Sequence, residues 1–429
     1  MQPPSTAEGR AGLPVRLSPN VLSWASMLDE SARLQAISLG ELPAIHPHLA
    51  LMPDAHAGLG SAVGTVIPTV GVVIPAAVGV DIGCGMIAAR THYGAADLEG
   101  RDLVRLRDAI EHAIPLSPGN YNAKLDRFPF TAARVAELEQ MARPGGGGTP
   151  SPSGTPSPSR AAAPQPGTEL AVNLSHSPRW REQLGSLGGG NHFIELCLDE
   201  ADRVWMFLHS GSRGVGNQIA RIHIRAAKEQ CRREGVKLAH TDHAYLREGT
   251  REFDAYLREL RWAQHFALLN REEMMDRFAW ALADFLGDPD VGEQERINCH
   301  HNYTEHVEID GLGVWLTRKG AIDASAGRPG LIPGSMGARS YVVEGLGNTE
   351  ALNSAPHGAG RALSRTQARA RYTAADLHEA MEGIVYRPGK AWIDEIPAAY
   401  KPIDRVMEDA ASLVRTRHEL RQVVNVKGT

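Results

Sequence analysis

Apolar residues fall at helical spacing in four stretches of this chain, residues 28–39, 97–114, 131–143 and 214–235. Residues 253–286 extend the same pattern into one long helical stretch, broken at most once. Residues 52–86 differ. There, short β-branched runs alternate with glycines (MPDAHAGLGSAVGTVIPTVGVVIPAAVGVDIGCGM), which predicts strands joined by tight turns. HFIELCLDE and VWMFLHSGS read as strands, and VEIDGLGVWLTRKGA as a hairpin about Asp310-Gly311. The tail is expected to hold helices at 374–384 and 404–420 before a strand-like VVNVKG. Residues 1–20, rich in proline and glycine, read as loose, and no internal repeat is present.

Composition places these elements in a soluble globular protein: 429 residues, 42% hydrophobic and 22% charged. Residues 144–167, PGGGGTPSPSGTPSPSRAAAPQPG, offer almost nothing to bury and read as a flexible, disordered surface insert. Candidate site residues lie on both sides of it. The insert therefore interrupts a single catalytic unit, residues 21–429, rather than separating two domains. A net charge of −5 argues against wholesale coating of nucleic acid and leaves room for a local basic groove. Arg361, Arg365, Arg369 and Arg371 form such a run, which reads equally as a phosphate contact or a solvated helix face. The four cysteines show no CxxC pair, which suits a reducing cytoplasm. The N-terminus lacks a basic-then-apolar signal pattern, and VVIPAAVGV is too short to span a bilayer. A cytoplasmic protein without a membrane partner is the expectation.

The chemistry centres on NSAPHGAGRALSR, where His357 sits between a Ser-Ala-Pro turn and a Gly-Ala-Gly turn. Glycines let backbone approach a bulky ligand and present N–H groups to anions. In VGVDIGCGM, Asp81 and Cys84 offer a carboxylate and a thiolate a turn apart, able to bind divalent metal. Taken alone, a turn-capping aspartate and a buried free cysteine is the simpler reading. LGGGNHFIEL leads through glycines to Asn191, His192 and then Glu195, the last two on opposite faces of a strand. His209 closes an apolar strand and opens SGSRGVG, with Ser210, Ser212 and Arg213 in reach of phosphate. In NCHHNYTEH, neighbouring histidines cannot face the same way, so His301, followed by Asn302, is the candidate ligand rather than His300. His306 reads as a solvated residue. PGSMGARS is a further glycine–serine turn suited to a nucleotide. Walker A, a strand-bound GxGxxG, HExxH and paired CxxC motifs are all absent, which excludes P-loop enzymes, Rossmann dehydrogenases, zincins and zinc fingers. Imidazole with thiolate and carboxylate suits Mn, Zn, Fe or Co, and spacing does not choose among them. Together these motifs predict a metal-bound, phosphate-handling site with a nucleophilic histidine.

At these residues the chain resembles the RtcB family of GTP-dependent RNA ligases. The matching motifs are MPDAHAGLG, VGVDIGCG, GGGNHFIE, HSGSRG, CHHN, PGSMGARSY, SAPHGAGRALSR and the terminal VKG, in order along most of the chain. The resemblance implies a single, complex α+β catalytic domain. It implies that His357 attacks the GTP α-phosphate to give a histidine–GMP phosphoramidate. Asp81, Cys84, His192, His209 and His301 resemble the ligands of two Mn²⁺ ions, bridged by Cys84. The implied guanylate pocket runs through Asn191–Glu195, with Phe193 and Ile194 inside that stretch, then His301, Asn302, Pro333, Gly334, Ser335, Met336 and Ser340. It closes with His357, Gly358, Ala359, Gly360 and Lys427. Implied partners are GTP, RNA with 3′-phosphate or 2′,3′-cyclic phosphate and 5′-hydroxyl ends, and an archease-type activating protein. Two rival readings are a two-metal phosphoesterase that uses water in place of His357, and a non-catalytic RNA-end or nucleotide-binding protein of the same fold.

Overall fold

Alternation along the strand Gly85–Gly94 sets the architecture. Met86 and Ala88 face one core while Ile87 and Ala89 face another, and all four are fully buried. Its neighbour Arg203–Ser210 does the same, with Trp205 and Phe207 on one side and Met206 and Leu208 on the other. A sheet buried on both faces needs a partner layer on each. The computed structural model, which describes residues 12–117, 119–146, 167 and 169–428, supplies both.

The seven-stranded sheet runs in the order Glu295–His300, Gly85–Gly94, Arg203–Ser210, Phe193–Leu198, Val414–Lys427, Ser340–Gly345, Pro329–Ile332. One face packs on a six-stranded sheet ordered Val15–Ser18, Val21–Ser23, Leu49–His56, Val63–Thr69, Leu312–Lys319, Asn302–Ile309. Trp24, Met52, Val66 and Leu316 from that sheet join the shared core. The other face packs on helices Leu103–Ala113 and Arg251–Leu286 through Ile110, Met274 and Phe278. This is the α+β arrangement expected. No helix among the described residues is long and apolar enough to cross a membrane.

Most expected elements are present. The helices near 28–39, 131–143 and 214–235 appear at Glu30–Gly40, Thr131–Ala142 and Arg213–Arg233. The expected 97–114 helix is split into a short turn at Ala95–Leu98 and a helix at Leu103–Ala113. Arg251–Leu286 is one unbroken 36-residue helix, capped by the Thr250 side chain at its start and by left-handed Gly287 at its end. The hairpin turns at Asp310 and Gly311, both at positive φ as a two-residue turn requires.

Three expectations need correction. Residues 404–420 are not a helix. A short helix, Ile403–Asp409, ends early and Val414–Lys427 is a 14-residue strand. The spacing of Val406, Ala410, Leu413 and Val414 satisfies a helix locally. Pairing overrides it: residues 414–420 pair with Ser340–Gly345 and residues 421–427 with Phe193–Leu198, so the long strand joins the two halves of the sheet. The first tail helix, expected at 374–384, is shorter, Ala374–Ala380, and Gly383 beyond it adopts positive φ. Within the stretch read as loose, Val15–Ser18 forms an edge strand on Val21–Ser23. Most of the expected insert, residues 147–166, lies outside the described residues, as do residues 1–11.

Candidate active site

Sheet register brings the candidate ligands into one row. Met86 pairs with His209, which pairs in turn with Phe193, while Gly85 pairs with His300. Residues 84, 192, 209 and 301, far apart in sequence, therefore meet at one end of adjacent strands. The turn before Gly85 must be tight. Gly83 is at φ +68, and a Cβ there would stand 2.8 Å from the Ala267 side chain. His301 N–H donates to the Cys84 carbonyl at 2.7 Å, docking the two segments together.

The long helix holds this row from behind. Arg271 is fully buried and its guanidinium donates to the carbonyls of Gly83 (2.7 Å) and Ser210 (3.1 Å) and to Asn298 Oδ1 (2.7 Å). Asn270 beside it accepts from Gly185 N–H at 2.7 Å and donates to the Gly211 carbonyl at 3.2 Å. Neither residue stood out in the sequence. A polar pair on the apolar stripe of a helix was the available signal.

Two trios of donors share one sulfur: Cys84 with His209 and His301, and Cys84 with Asp81 and His192. Cys84 Sγ lies 3.2 Å from His209 Nε2 and 3.4 Å from His192 Nε2. His192 Nε2 lies 3.0 Å from Asp81 Oδ2, and His209 Nε2 lies 2.9 Å from His301 Nε2. Each ring's other nitrogen has a fixed acceptor. Nδ1 of His192 faces the Leu187 carbonyl (2.9 Å), that of His209 the Asn191 carbonyl (3.3 Å) and that of His301 the Asn302 Oδ1 (3.2 Å). For His209 and His301 those partners assign the proton to Nδ1 and turn the Nε2 lone pair inward, while His192 Nδ1 also meets the Arg213 guanidinium at 3.3 Å. Burial, with neighbouring His192 and His357, pushes the His209 pKa well down; burial, with His357 and His209, does the same for His301. Neutral imidazoles with opposed lone pairs repel unless a cation lies between them, so the donor set fits a soft or borderline divalent ion in each trio. Burial pushes Asp81 up, but the His192 hydrogen bond and charge, with Arg213, hold it at about 2. Burial and the Asp81 charge push the Cys84 thiol up. A bound cation supplies the opposite field and favours the thiolate. A further cluster, Asp199, Glu200 and His418, lies apart, and its Asp199 is already engaged by Arg203 and Trp205.

Gly211 shows how close the packing is. A Cβ at that position would stand 2.2 Å from Asp81 Oδ1. Gly211→Ala is therefore expected to displace Asp81 and lower the metal content of purified protein while the Cys84–His209–His301 trio stays intact. Elemental analysis after gel filtration checks this, and undiminished metal would remove Asp81 from the ligand set.

His357 stands above the row. Its ring lies 4.6 Å from that of His301, centroid to centroid. Its Nδ1 is 2.6 Å from Asp54 Oδ2, and its backbone N–H donates to the same oxygen at 3.2 Å. Asp54 is fully buried on the strand Leu49–His56. Nδ1 meets the carboxylate as a close charge contact rather than an aligned hydrogen bond. The backbone N–H bond to the same oxygen fixes the residue, so the Asp54 charge lies on the Nδ1 side of the ring and away from Nε2. Asp54 sits inside the quoted MPDAH motif, but its partner is 303 residues away and no local pattern links them.

A cleft of about 280 Å³ opens from His357. Asp81, Cys84, His209, His301 and His357 lie along it, with Asn191, Phe193, Glu195, Asn302, the Pro333–Met336 turn, Gly358–Gly360 and Lys427. Three expected residues stand off the lining. His192 meets Asp81 and Cys84 from behind, the Ile194 side chain is buried in the helix-side core, and Ser340 Oγ accepts from Gly334 N–H at 3.3 Å beneath the turn. His300 faces away and bonds the Gly83 carbonyl at 2.9 Å, and His306 is exposed against Trp315.

The cleft also holds residues the sequence did not single out: His56, Lys319, Glu395 and Tyr400. Burial pushes Lys319 down to about 8, and its ammonium donates to the Leu59 (2.6 Å) and Ser61 (2.9 Å) carbonyls. Burial pushes Glu395 up, but Lys427, Arg365, Tyr400 and Arg361 hold it at about 2. Lys427 Nζ pairs with Glu395 at 3.1 Å, and both are buried. The basic run is neither free nor simply solvated. Arg361, Arg365 and Arg369 are aimed by Asp394 and Glu395, and Arg371 is exposed.

Fold and site together define an α+β protein whose buried Cys/His/Asp cluster suits divalent cations beneath a carboxylate-oriented histidine. The family model described as tRNA-splicing ligase RtcB matches residues 35–428, and the chain belongs to that family. RNA-splicing ligase RtcB of Escherichia coli strain K12 is 43% identical over 411 residues, 94% of this chain and 95% of that protein. RNA-splicing ligase RtcB1 of another Escherichia coli strain is 44% identical over 411 residues, with the same shares of each. tRNA-splicing ligase RtcB of Pyrobaculum aerophilum is 30% identical over 456 residues, 96% of this chain and 93% of that protein.

Proposed function

We propose that this enzyme is an RNA ligase that joins RNA 3′-phosphate or 2′,3′-cyclic phosphate ends to 5′-hydroxyl ends, using GTP and two Mn²⁺ ions. The observation that carries the reading is His357, oriented by Asp54 and facing the cation cluster across one cleft. In the first step His357 Nε2 attacks the α-phosphorus of GTP. A P–N bond forms and the bond to pyrophosphate breaks. An RNA 3′-phosphate oxygen then attacks that phosphorus, which frees the imidazole and leaves GMP on the RNA end. A 5′-hydroxyl finally attacks the RNA 3′-phosphate, the phosphodiester forms and GMP departs. A cyclic phosphate is first opened by water to the 3′-phosphate.

Bound cations would neutralise phosphate oxygens and stabilise charge on the leaving group. Asp81, Cys84, His192, His209 and His301 would hold them. Mn²⁺ accepts such a mixed set of imidazole, thiolate and carboxylate. Asn191, Phe193, Glu195, Asn302, Pro333–Met336, Gly358–Gly360 and Lys427 would bind the guanylate. Arg361 and Arg365, at the cleft rim, would take RNA phosphates. An archease-type protein is proposed as an activating partner, and the cytoplasm as the compartment.

Asp54 gives the reading a sharp test. As a buried carboxylate against Nδ1, it stabilises positive charge on the ring as the P–N bond forms at Nε2. Asp54→Asn should slow joining of a 3′-phosphate RNA to a 5′-hydroxyl RNA by on the order of 10²–10⁴-fold with metal content unchanged. The assay uses GTP and Mn²⁺ with defined RNA ends. A wild-type protein that releases phosphate from the 3′ end without joining would favour the phosphoesterase instead.

A further inference from the structure

The strand Val414–Lys427 carries more than Lys427 to the cleft. Strict alternation would set Gln422 and Asn425, three positions apart, on opposite faces. The register shifts between Gln422 and Val424, so Val423 is an extra residue. Gln422 consequently pairs with Cys197, Asn425 with Glu195 and Lys427 with Phe193. All three share the face on which Phe193 and Glu195 line the cleft. A bulge beside a site re-aims side chains in this way.

Both re-aimed amides are buried and both are fully used as donors. Asn425 Nδ2 donates to Glu195 Oε1 at 2.8 Å and to Gln422 Oε1 at 3.3 Å. Gln422 Nε2 donates to the carbonyls of Ser335 and Ala338, each at 2.9 Å, and Gln422 Oε1 accepts from Gly337 N–H at 3.1 Å. One chain of hydrogen bonds thus runs from the Glu195 carboxyl to the 335–338 turn, joining opposite walls of the cleft. It leaves Asn425 Oδ1 buried with no hydrogen-bond partner among the described residues. An orphaned acceptor costs stability, so folding alone does not explain the placement.

We propose that Gln422 and Asn425 are positioning residues for purine selection: they fix the Glu195 carboxyl and the 335–338 turn against each other so that the cleft accepts guanine and rejects adenine. The inference rests on the guanylate pocket described under Proposed function. Guanine presents N1–H and an exocyclic amino group, both donors, on the edge where adenine presents an acceptor. A carboxylate held still discriminates between these edges, because the wrong base leaves buried polar groups unpaired. Asn425 occupies Oε1 and so leaves Oε2, which meets the weak Cys197 thiol at 3.9 Å, for the base. Burial raises Glu195 to about 8, and the Lys427 charge and the Asn425 bond act against that rise. The two donors of a bound guanine edge also act against it and favour the carboxylate that accepts from them, which an adenine edge does not.

The test measures covalent labelling of wild type, Asn425→Leu, Gln422→Met and Glu195→Gln by α-labelled GTP and ATP with Mn²⁺, over a range of nucleotide concentrations. In Asn425→Leu the ratio of kcat/KM for GTP over ATP should fall at least about tenfold, through a raised KM for GTP rather than a lowered kcat. Gln422→Met should shift the same ratio in the same direction by a smaller factor. A general loss of stability would lower labelling by both nucleotides together and leave the ratio alone. If Asn425→Leu does not fold, Gln422→Met carries the test by the same criterion. The proposal is overturned if Glu195→Gln lowers the ratio and both amide variants keep the wild-type value. It falls with its foundation if Glu195→Gln also keeps the ratio, or if wild type takes label from neither nucleotide.

Discussion

Cys84→Ser is expected to purify with both cation positions depleted. The sulfur is the one donor common to both trios, so its loss is felt twice. Serine preserves size within a buried site and removes the soft ligand. Its hydroxyl does not ionise near neutral pH, and the neighbouring Asp81 charge opposes ionisation further. The surviving donors, His209 with His301 and Asp81 with His192, leave each position with fewer ligands than a stable site uses. Affinity should drop at least about 100-fold, beyond what loss of an outer partner costs. Joining activity should fall with it. The fold should persist, because the sheet register and the Arg271 bonds do not pass through the Cys84 side chain. Elemental analysis after gel filtration, paired with thermal melting in chelator, separates metal loss from unfolding. Wild-type metal content in Cys84→Ser would return this cysteine to an ordinary buried thiol.

The contrast between Cys84→Ser and Gly211→Ala follows from where each acts. A methyl group at Gly211 presses on Asp81 alone, whereas the thiol serves both trios. A graded loss of metal across the two variants is the signature of a shared bridge.

Much of this site is legible in the chain because its residues sit in short glycine-marked motifs. Cys84, His192, His209 and His301 each stand beside a glycine or at a strand end, and Asp81 lies in the turn between Gly79 and Gly83. Choosing His301 over His300 needed only strand alternation, and His300 does turn away to the Gly83 carbonyl. What stayed hidden depends on long-range pairing. Asp54 meets His357 only after two distant strands are brought together. Arg271 and Asn270 look like ordinary members of a long helix until the row they support exists. Residues 414–420 follow helical spacing closely enough to mislead, and only pairing with the distant strand Ser340–Gly345 makes them a strand. Gln422 and Asn425 are invisible for a related reason, since their common face depends on a bulge at Val423.

Loss of the histidine should be the most complete defect of all. His357→Ala retains Asp81, Cys84, His192, His209 and His301, so its metal content should match wild type. Among the described residues it removes the one cleft imidazole that is oriented by a buried carboxylate. His56 is the other imidazole on the cleft outside the Cys/His/Asp cluster, but its Nδ1 rests on the Asp54 carbonyl at 3.0 Å rather than on a carboxylate, so no buried charge stabilises the cation its ring would become. Cys84 belongs to the Cys/His/Asp cluster that could hold cations, and burial pushes Lys319 down only to about 8 while its ammonium is tied to backbone carbonyls. Joining should therefore become undetectable rather than slow. Covalent labelling should vanish with it, because GMP would have no nitrogen to occupy.

The linkage itself carries the decisive signature. A P–N bond to imidazole breaks in acid, where protonation makes the ring a good leaving group, and survives in alkali. Wild-type protein incubated with α-labelled GTP and Mn²⁺, then denatured, should keep its label in alkali and lose it in warm acid. RNA with a 3′-phosphate should discharge the adduct, and RNA with a 3′-hydroxyl should not. Label that persists in His357→Ala, or that resists acid in the wild type, would place the nucleophile elsewhere and contradict the account.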